Sequence, residues 1–535
     1  MASRRCICSP CHACEFNWKK LGCQAKVTGP DVDGSDGSET RAAQPELNAT
    51  AWFLTEAEIT SSRVEVPRDG LAVYSIGNTV KTFAASNEYF SSAYSDIRAT
   101  DANDSIYLTG WSVDNVPSRQ RTSGFFGSAV IRGVDVRAIV WQNILERKQN
   151  LRVRDYLNNA IPKPIKAGPA RLIFDDRLPS VSASHHQKTL IVRKQNDLVA
   201  YLGGVDLTSD RWDTMYHNNA QLRRDAKISR NFDGWLDAHM RIEGPASLDV
   251  GANFLARWNS RKKPSMDHLD DLLDFDNPPY SELPAFNLNP TANGTHSIQI
   301  TRTFSCKYRK YFEYAPRGER SLFHARLKAI RQAKNFIYIE DQYFIFVPEL
   351  LNALLEVLPR LQRLIVVVQR PIKETKLTGY EKYLFDMVAP IQQKYPNKFQ
   401  LYTTKKARTL YIHSKLVIID DVFLSVGSAN WNRRSMTSDS EIGANVIDQE
   451  LVVAPEGVLV TKLARDLRVR KFMELTGKTY GEIDQLPLVE AANLLDASAA
   501  DPTTILDVLE VDEKASFVAF PASVQERVDP DNRCF

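Results

Sequence analysis

Ser184-His185-His186-Gln187-Lys188-Thr189-Leu190-Ile191-Val192 and Tyr411-Ile412-His413-Ser414-Lys415-Leu416-Val417-Ile418-Ile419-Asp420 read almost alike. Each sets a His-x-Lys at the head of an apolar, β-branched run. Each is followed by a glycine turn, GGVD at 203–206 and GSAN at 427–430. On a strand, residues two apart face the same way, so each segment sets one imidazole beside one ammonium. Two such pairs facing each other suit attack on a phosphodiester. One histidine attacks, one protonates the leaving group, and two lysines hold the anionic oxygens.

The two segments lie at corresponding places in a larger repeat. In the first half a helical stretch (EYFSSAYSDIRATDAND) runs into the strand SIYLTGW at 105–111; in the second, SLFHARLKAIRQAKN runs into FIYIEDQYF at 336–344. Each half continues with a helix and a strand (GVDVRAIVW at 133–141; LQRLIVVVQ at 361–369), another strand (ARLIF at 170–174; KFQLYTT at 398–404), and then the His-x-Lys strand. Each closes with the glycine turn and one more strand carrying an acid. Alternating strands and helices of this length predict an α/β class with two similar α/β/α sandwich lobes. They form a pseudo-dimer with the active site at the seam. The expected boundaries are a disordered Cys-rich leader at 1–54, a first catalytic lobe at 55–260, a polar linker at 261–296, a second catalytic lobe at 297–478, and an acidic cap at 479–535.

Bulk properties narrow the partners. At 535 residues, with 43% hydrophobic and 25% charged residues, the chain is globular and long enough for two lobes. A net charge of +3 gives no global field for nucleic acid. No apolar run reaches the length of a membrane span, and the N-terminus lacks a signal-peptide core, so the expected partner is a phospholipid membrane surface met peripherally, with no obligate protein partner. Five of seven cysteines (Cys6, Cys8, Cys11, Cys14, Cys23) crowd the leader, which could be read as a zinc knuckle or as acylated cysteines. Their spacing fits no regular zinc pattern, so the expectation is a leader with neither metal nor cofactor. A core nearly free of cysteine tilts the compartment toward a reducing cytoplasm. Sequons at Asn48, Asn103 and Asn293 tilt the other way, and the compartment stays open. The acids of the linker, Asp267 to Asp276, lack the order of a calcium loop.

A histidine that attacks or protonates needs a partner on its other ring nitrogen. In the second half, Glu441 opens the acid-bearing strand (SEIGANVI). The matching first-half strand, LDAHMRIEG, offers Asp237, with His239 on the same face, and Asp213 in DRWDT competes for the role. Each acid is thus expected to serve the histidine of its own half. Asn430, past the second turn, can donate to phosphate; Asp206, at the corresponding first-half place, cannot when ionised. Gly204, Asp206 and Ser428 in the turns, with Trp431 as a pocket wall, are the expected substrate contacts. Trp111, Trp141, Trp212, Tyr343 and Phe344 are further aromatic candidates. The basic segment ERKQNLRVR at 146–154 can meet an anionic membrane or be an ordinary solvated helix face.

With these residues the sequence resembles the phospholipase D superfamily, whose signature is H-x-K-x4-D followed by G-[GS]-x-[ND]. His413, Lys415 and Asp420 fit the second copy, with Gly427, Ser428 and Asn430 behind them. The first copy departs: Arg193 stands five residues after Lys188, and Asp197 comes later. Asp420 belongs to the signature, but by strand parity it faces away from His413 and Lys415 and reads as a hairpin support. GGVDLTSDRWDT at 203–214, the run from Trp235 to Val250, ARWN at 256–259 and IYIEDQYF at 337–344 are similar to the eukaryotic branch in particular. The resemblance covers about residues 70–475. It implies a compact catalytic core that hydrolyses the distal phosphodiester of glycerophospholipids such as phosphatidylcholine, with transphosphatidylation to primary alcohols. It also implies His186 as nucleophile and His413 as acid and base. Alternatives within the superfamily are a nuclease or phosphodiesterase, and a catalytically impaired lipid-binding homologue.

Overall fold

The strand order of the sheet repeats itself once. In a computed structural model the described residues are 41–114, 124–161, 167–179, 183–228, 231–264, 275–307, 313–372 and 379–517; the cysteine-rich leader and most of the linker acids lie outside them. The first half contributes β1 (Ser75–Phe83), β2 (Ser105–Gly110), β3 (Asp135–Trp141), β4 (Ala170–Asp175), β5 (Thr189–Lys194), β6 (Asp197–Gly203), β7 (Gly234–Leu236) and β8 (His239–Glu243). The second contributes β9 (His296–Thr303), β10 (Phe336–Asp341), β11 (Arg363–Val368), β12 (Phe399–Thr404), β13 (Leu410–Ile412), β14 (Lys415–Ile419), β15 (Phe423–Gly427) and β16 (Glu441–Asp448). A small hairpin, β17 (Leu451–Val453) and β18 (Leu459–Thr461), and a last strand, β19 (Leu506–Val508), follow.

Fifteen of these strands form one sheet, in the order β19-β12-β11-β10-β14-β15-β16-β9-β1-β8-β6-β5-β2-β3-β4. Read outward from β9 and β1, the halves match strand for strand as far as β12 and β4, with β19 added beyond β12. In each, three consecutive strands are parallel (β2-β3-β4; β10-β11-β12) and the ones nearer the seam antiparallel. The parallel strands read as continuous apolar runs, such as RLIVVV in β11, because both faces are covered: Ile365 and Val367 join one apolar core, and Leu364, Val366 and Val368 another.

The seam is itself a strand pair. β1 lies antiparallel to β9, with Ser75 opposite Ile298 and Asn78 opposite His296. Both strands lie before the helices at which the visible sequence repeat begins. One apolar core runs beneath both halves. It joins Leu198, Ile242 and Met240 to Ile300, Leu424 and Val446, and takes in Val250, Phe254 and Trp258 of the helix Pro245–Asn259. Those three residues recur every fourth position, one face of a helix.

Two expected boundaries move. Residues 41–54 are not part of a disordered leader: the helix Ala49–Trp52 buries Trp52, which stacks on Phe423 at 5.4 Å. The C-terminal segment does more than cap, since β19 extends the sheet by pairing with β12. Among the described residues no helix is long and apolar enough to cross a membrane.

Candidate active site

Two short backbone pairings position the histidines. β13 runs parallel to β7, and the His413 N–H donates to the Leu236 carbonyl at 2.8 Å. In the matching place His185 bridges Ser440 in parallel, and the His186 N–H donates to the Ser440 carbonyl at 3.0 Å. Leu236 immediately precedes Asp237, and Ser440 immediately precedes Glu441. Each histidine therefore lies beside the acid of the other half. The strands proper begin later than the sequence suggests, at Thr189 and at Lys415.

This overturns the expected pairing. His413 Nδ1 lies 2.8 Å from Asp237 Oδ2. His186 Nδ1 lies 2.8 Å from the Ser428 carbonyl, and 3.2 and 3.3 Å from the two Glu441 oxygens. Asp237 does not orient His186, and neither does Asp213, which takes His217 Nδ1 at 2.6 Å and the Trp235 N–H at 2.9 Å. A carbonyl can only accept, so His186 Nδ1 carries the proton and its Nε2 keeps the lone pair when the ring is neutral. His239 is buried against Tyr89, with ring centroids 4.1 Å apart, and its Nδ1 accepts from the Val205 N–H. His185 is held between Ser440 Oγ at 2.7 Å and Asp175 at 3.2 Å, which makes it a packing residue.

His186 and His413 open onto one cavity of about 390 Å³, together with Asp206 and Asn430. Its aromatic wall is Trp111, Trp141, Phe232, Trp235, Tyr343 and Tyr411. Of the aromatics singled out in the sequence, Trp111, Trp141 and Tyr343 reach it. Trp431 does not: it is fully buried beside Phe344, ring centroids 5.3 Å apart. Asn430 faces the cavity, and the next residue of an extended chain points away from it.

Lys188 and Lys415 sit buried behind the histidines. Lys188 Nζ reaches the His186 carbonyl at 3.1 Å and Asp206 at 3.2 Å. Lys415 Nζ contacts the His413 carbonyl and, at 3.2 Å, Gln342 Oε1. Burial, then Lys188 and Lys415, push the His186 imidazole well below its usual range. Burial, then Lys415 and Arg211, do the same to His413. Both shifts favour the neutral imidazole. Burial also brings Lys415 down to about 8, against the pull of Asp237 and Asp341, and raises Glu441 to about 7.

The turn residues serve the acids. Ser428 Oγ donates to Glu441 Oε2. A Cβ at Gly204 would fall 2.0 Å from Asp237 Oδ1, so Gly204 leaves room for that carboxylate and is not a substrate contact. Asp206 accepts from the Trp111 and Ser112 N–H groups at 2.9 and 3.2 Å. Asp420 is away from the cavity: its carboxylate accepts from the backbone N–H groups of Lys334, Asn335 and Phe336, at the start of β10.

Sequence reasoning missed Asp210, Arg211, Arg434 and Asp439, which also line the cavity. The Arg211 guanidinium stacks 3.8 Å above the Trp235 ring and pairs with Asp210 at 2.7 Å. Burial raises Asp439 to about 6. The signal lay in RWD at 211–213 and in RRSM at 433–436, charged residues placed soon after each glycine turn. Among the described residues no group of three or more His, Cys, Asp or Glu is placed to hold a metal ion.

Comparison with known proteins bears on the family to which the chain belongs. A family model described as Phospholipase D matches residues 99–350, and one described as Cardiolipin synthase, PLD-like domain, matches residues 327–456. Phospholipase D A of Dictyostelium discoideum is 25% identical over 484 residues, covering 75% of this chain and 36% of that protein. Phospholipase D alpha 1 of Oryza sativa subsp. japonica is 26% identical over 476 residues, covering 64% of this chain and 58% of that protein. The chain thus spans from about a third to under two thirds of the length of these relatives. A solved phosphatidylserine synthase of Haemophilus influenzae Rd KW20 superposes with a TM-score of 0.49 at 14% identity, over 79% of this chain and 92% of that one. One family model contains His186, the other His413, and the halves that carry them are built alike: the chain belongs to the phospholipase D superfamily.

Proposed function

We propose that this chain is a phospholipase D, cleaving the distal phosphodiester of a glycerophospholipid such as phosphatidylcholine to phosphatidate and the head-group alcohol. The observation that carries the reading is the pair of imidazoles, one from each half, on the wall of a single cavity, each with its Nδ1 pinned from behind. The aromatic wall suits a substrate that is part lipid, and the relatives named phospholipase D support the substrate class.

The chemistry follows from the protonation states. Neutral His186 presents its Nε2 lone pair to phosphorus, and an N–P bond forms as the bond from phosphorus to the head-group oxygen breaks. His413 gives that oxygen a proton. The cationic neighbours that depress His413 are neutralised by the incoming phosphodiester anion, and the Asp237 carboxylate at 2.8 Å then supports the imidazolium. Lys188 and Lys415 supply positive field from behind, and Asn430 is placed to donate to a phosphoryl oxygen. In the second step water loses its proton to His413 and its oxygen displaces His186 from phosphorus. A primary alcohol in place of water gives transphosphatidylation.

Mass spectrometry of products from phosphatidylcholine vesicles with added butanol tests the reading. Phosphatidate and phosphatidylbutanol are expected. Release of phosphocholine, or no product at all from an enzyme that cuts single-stranded DNA, would reject it.

A further inference from the structure

The loop from the end of β3 to the helix Arg147–Asp155 carries two adjacent aliphatic side chains in solvent. Leu145 is 83% exposed, the most of any large hydrophobic residue among those described, and Ile144 is 67% exposed. The loop is braced on both sides. The buried Asn143 donates its N–H to the Trp141 carbonyl at 2.8 Å and accepts from the Leu145 N–H at 2.9 Å. The Glu146 carbonyl accepts from the N–H groups of Gln149 and Asn150, at 3.1 and 3.0 Å. Asn150 Oδ1 in turn accepts from Ser112 Oγ and the Val113 N–H, both at 3.2 Å. A braced loop that holds two adjacent aliphatic side chains out keeps apolar surface in water, and a contact there would remove it.

Its position says with what. Leu145 and its neighbours Trp141 and Glu146 line the cavity that holds the two histidines, so the tip stands on the cavity's rim. The helix that follows buries Leu151 and Val153 and turns Lys148 and Arg152, one turn apart, to solvent. Apolar tips flanked by exposed cations match the two layers of an anionic bilayer surface, acyl boundary and phosphate.

We infer that Ile144 and Leu145 insert into the surface of a bilayer containing anionic phospholipid, with Lys148 and Arg152 on its headgroups, so that the cavity opens onto lipid. The inference rests on the phospholipase D reading, since a phosphodiester still anchored in a bilayer reaches the histidines only if the rim touches the membrane.

The test uses the full chain and vesicles of phosphatidylcholine with phosphatidylserine. Ile144→Asp is expected to lower vesicle partition by about tenfold or more, from the lost burial of one aliphatic side chain and the added charge. Its turnover of dissolved, monomeric dibutanoyl-phosphatidylcholine is expected to stay at the wild-type rate. Lys148→Glu with Arg152→Glu should weaken binding to the mixed vesicles and flatten its salt dependence. Partition of Ile144→Asp within about twofold of wild type would overturn the inference and leave the tip to a protein partner. Loss of monomer turnover in Ile144→Asp would overturn it too, by placing Ile144 in the chemistry or the fold. Absence of monomer turnover in the wild type would sink the phospholipase D reading instead, and the vesicle assay would still decide the docking surface.

Discussion

Gly204 and Ser428 occupy corresponding positions and solve one problem in two ways. Ahead of the longer Glu441 stands a serine whose hydroxyl donates to the carboxylate; against the shorter Asp237 stands a residue with no side chain at all. Gly204→Ala should push the Asp237 carboxylate off His413 and cost about a hundredfold in kcat, the usual size of an ångström-scale misplacement. Turnover measured beside thermal unfolding checks this; a folded variant with wild-type kcat would contradict it. At this scale the histidines and lysines were legible because two copies of a short motif reinforced each other. The duties of Gly204 and Trp431 were not. A glycine next to a motif reads the same whether a ligand or a carboxylate approaches it. Trp431 was misplaced because its neighbour Asn430 drew attention to the wrong face.

Strands of three residues decide which acid serves which histidine. The pairing of β13 with β7, and its counterpart at His185 and Ser440, tie each histidine to the opposite half. Such strands are too short to show a period, and the partners are far apart in sequence, so nothing in the pattern distinguished pairing within a half from pairing across it. Nitrogen-15 NMR of labelled histidines tests the exchange. Glu441→Gln should shift the His186 ring nitrogens and spare His413, and Asp237→Asn should do the reverse; the opposite result would restore pairing within halves. Arg193 shows a second compensation. Where the second half has Asp420 accepting amides at the start of β10, Arg193 donates to Ser105 Oγ at 3.2 Å and to the Asn103 carbonyl at the start of β2. The departure from the signature thus changes the sign of a strand brace and leaves the cavity untouched.

Across the whole molecule, the duplication and its α/β class were visible in the alternation of strands and helices. The joining strands β1 and β9 were not, because their runs (SIGNTVKTF and HSIQITRT) mix polar and apolar residues without a clear alternation. A buried charge network adds a second tie between the parts. His217, from the first half, bonds Asp213 at 2.6 Å and Glu474 at 3.2 Å, and Glu474 shares Lys471 with Glu340 of β10. Burial lowers the His217 imidazole, but its bonds to Asp213 and Glu474 outweigh that and raise it to about 9. Because the folded value lies above the unfolded one of about 6.5, this contribution is complete below pH 6.5 and is lost as pH rises through about 9. The urea midpoint of the wild type should therefore fall over that interval. His217→Gln should start lower and lose that part of the slope; an unchanged slope would remove His217 as its source.

The proposed reaction runs through a covalent step shared between two imidazoles. His413→Asn, mixed with a phosphodiester whose leaving group needs no proton, such as a p-nitrophenyl ester, should accumulate the N–P adduct, because the base that activates water is gone. Peptide mass spectrometry after an alkaline quench reads it directly. A phosphoryl adduct on His186 is predicted; its absence, with turnover surviving in His186→Ala, would remove the covalent step.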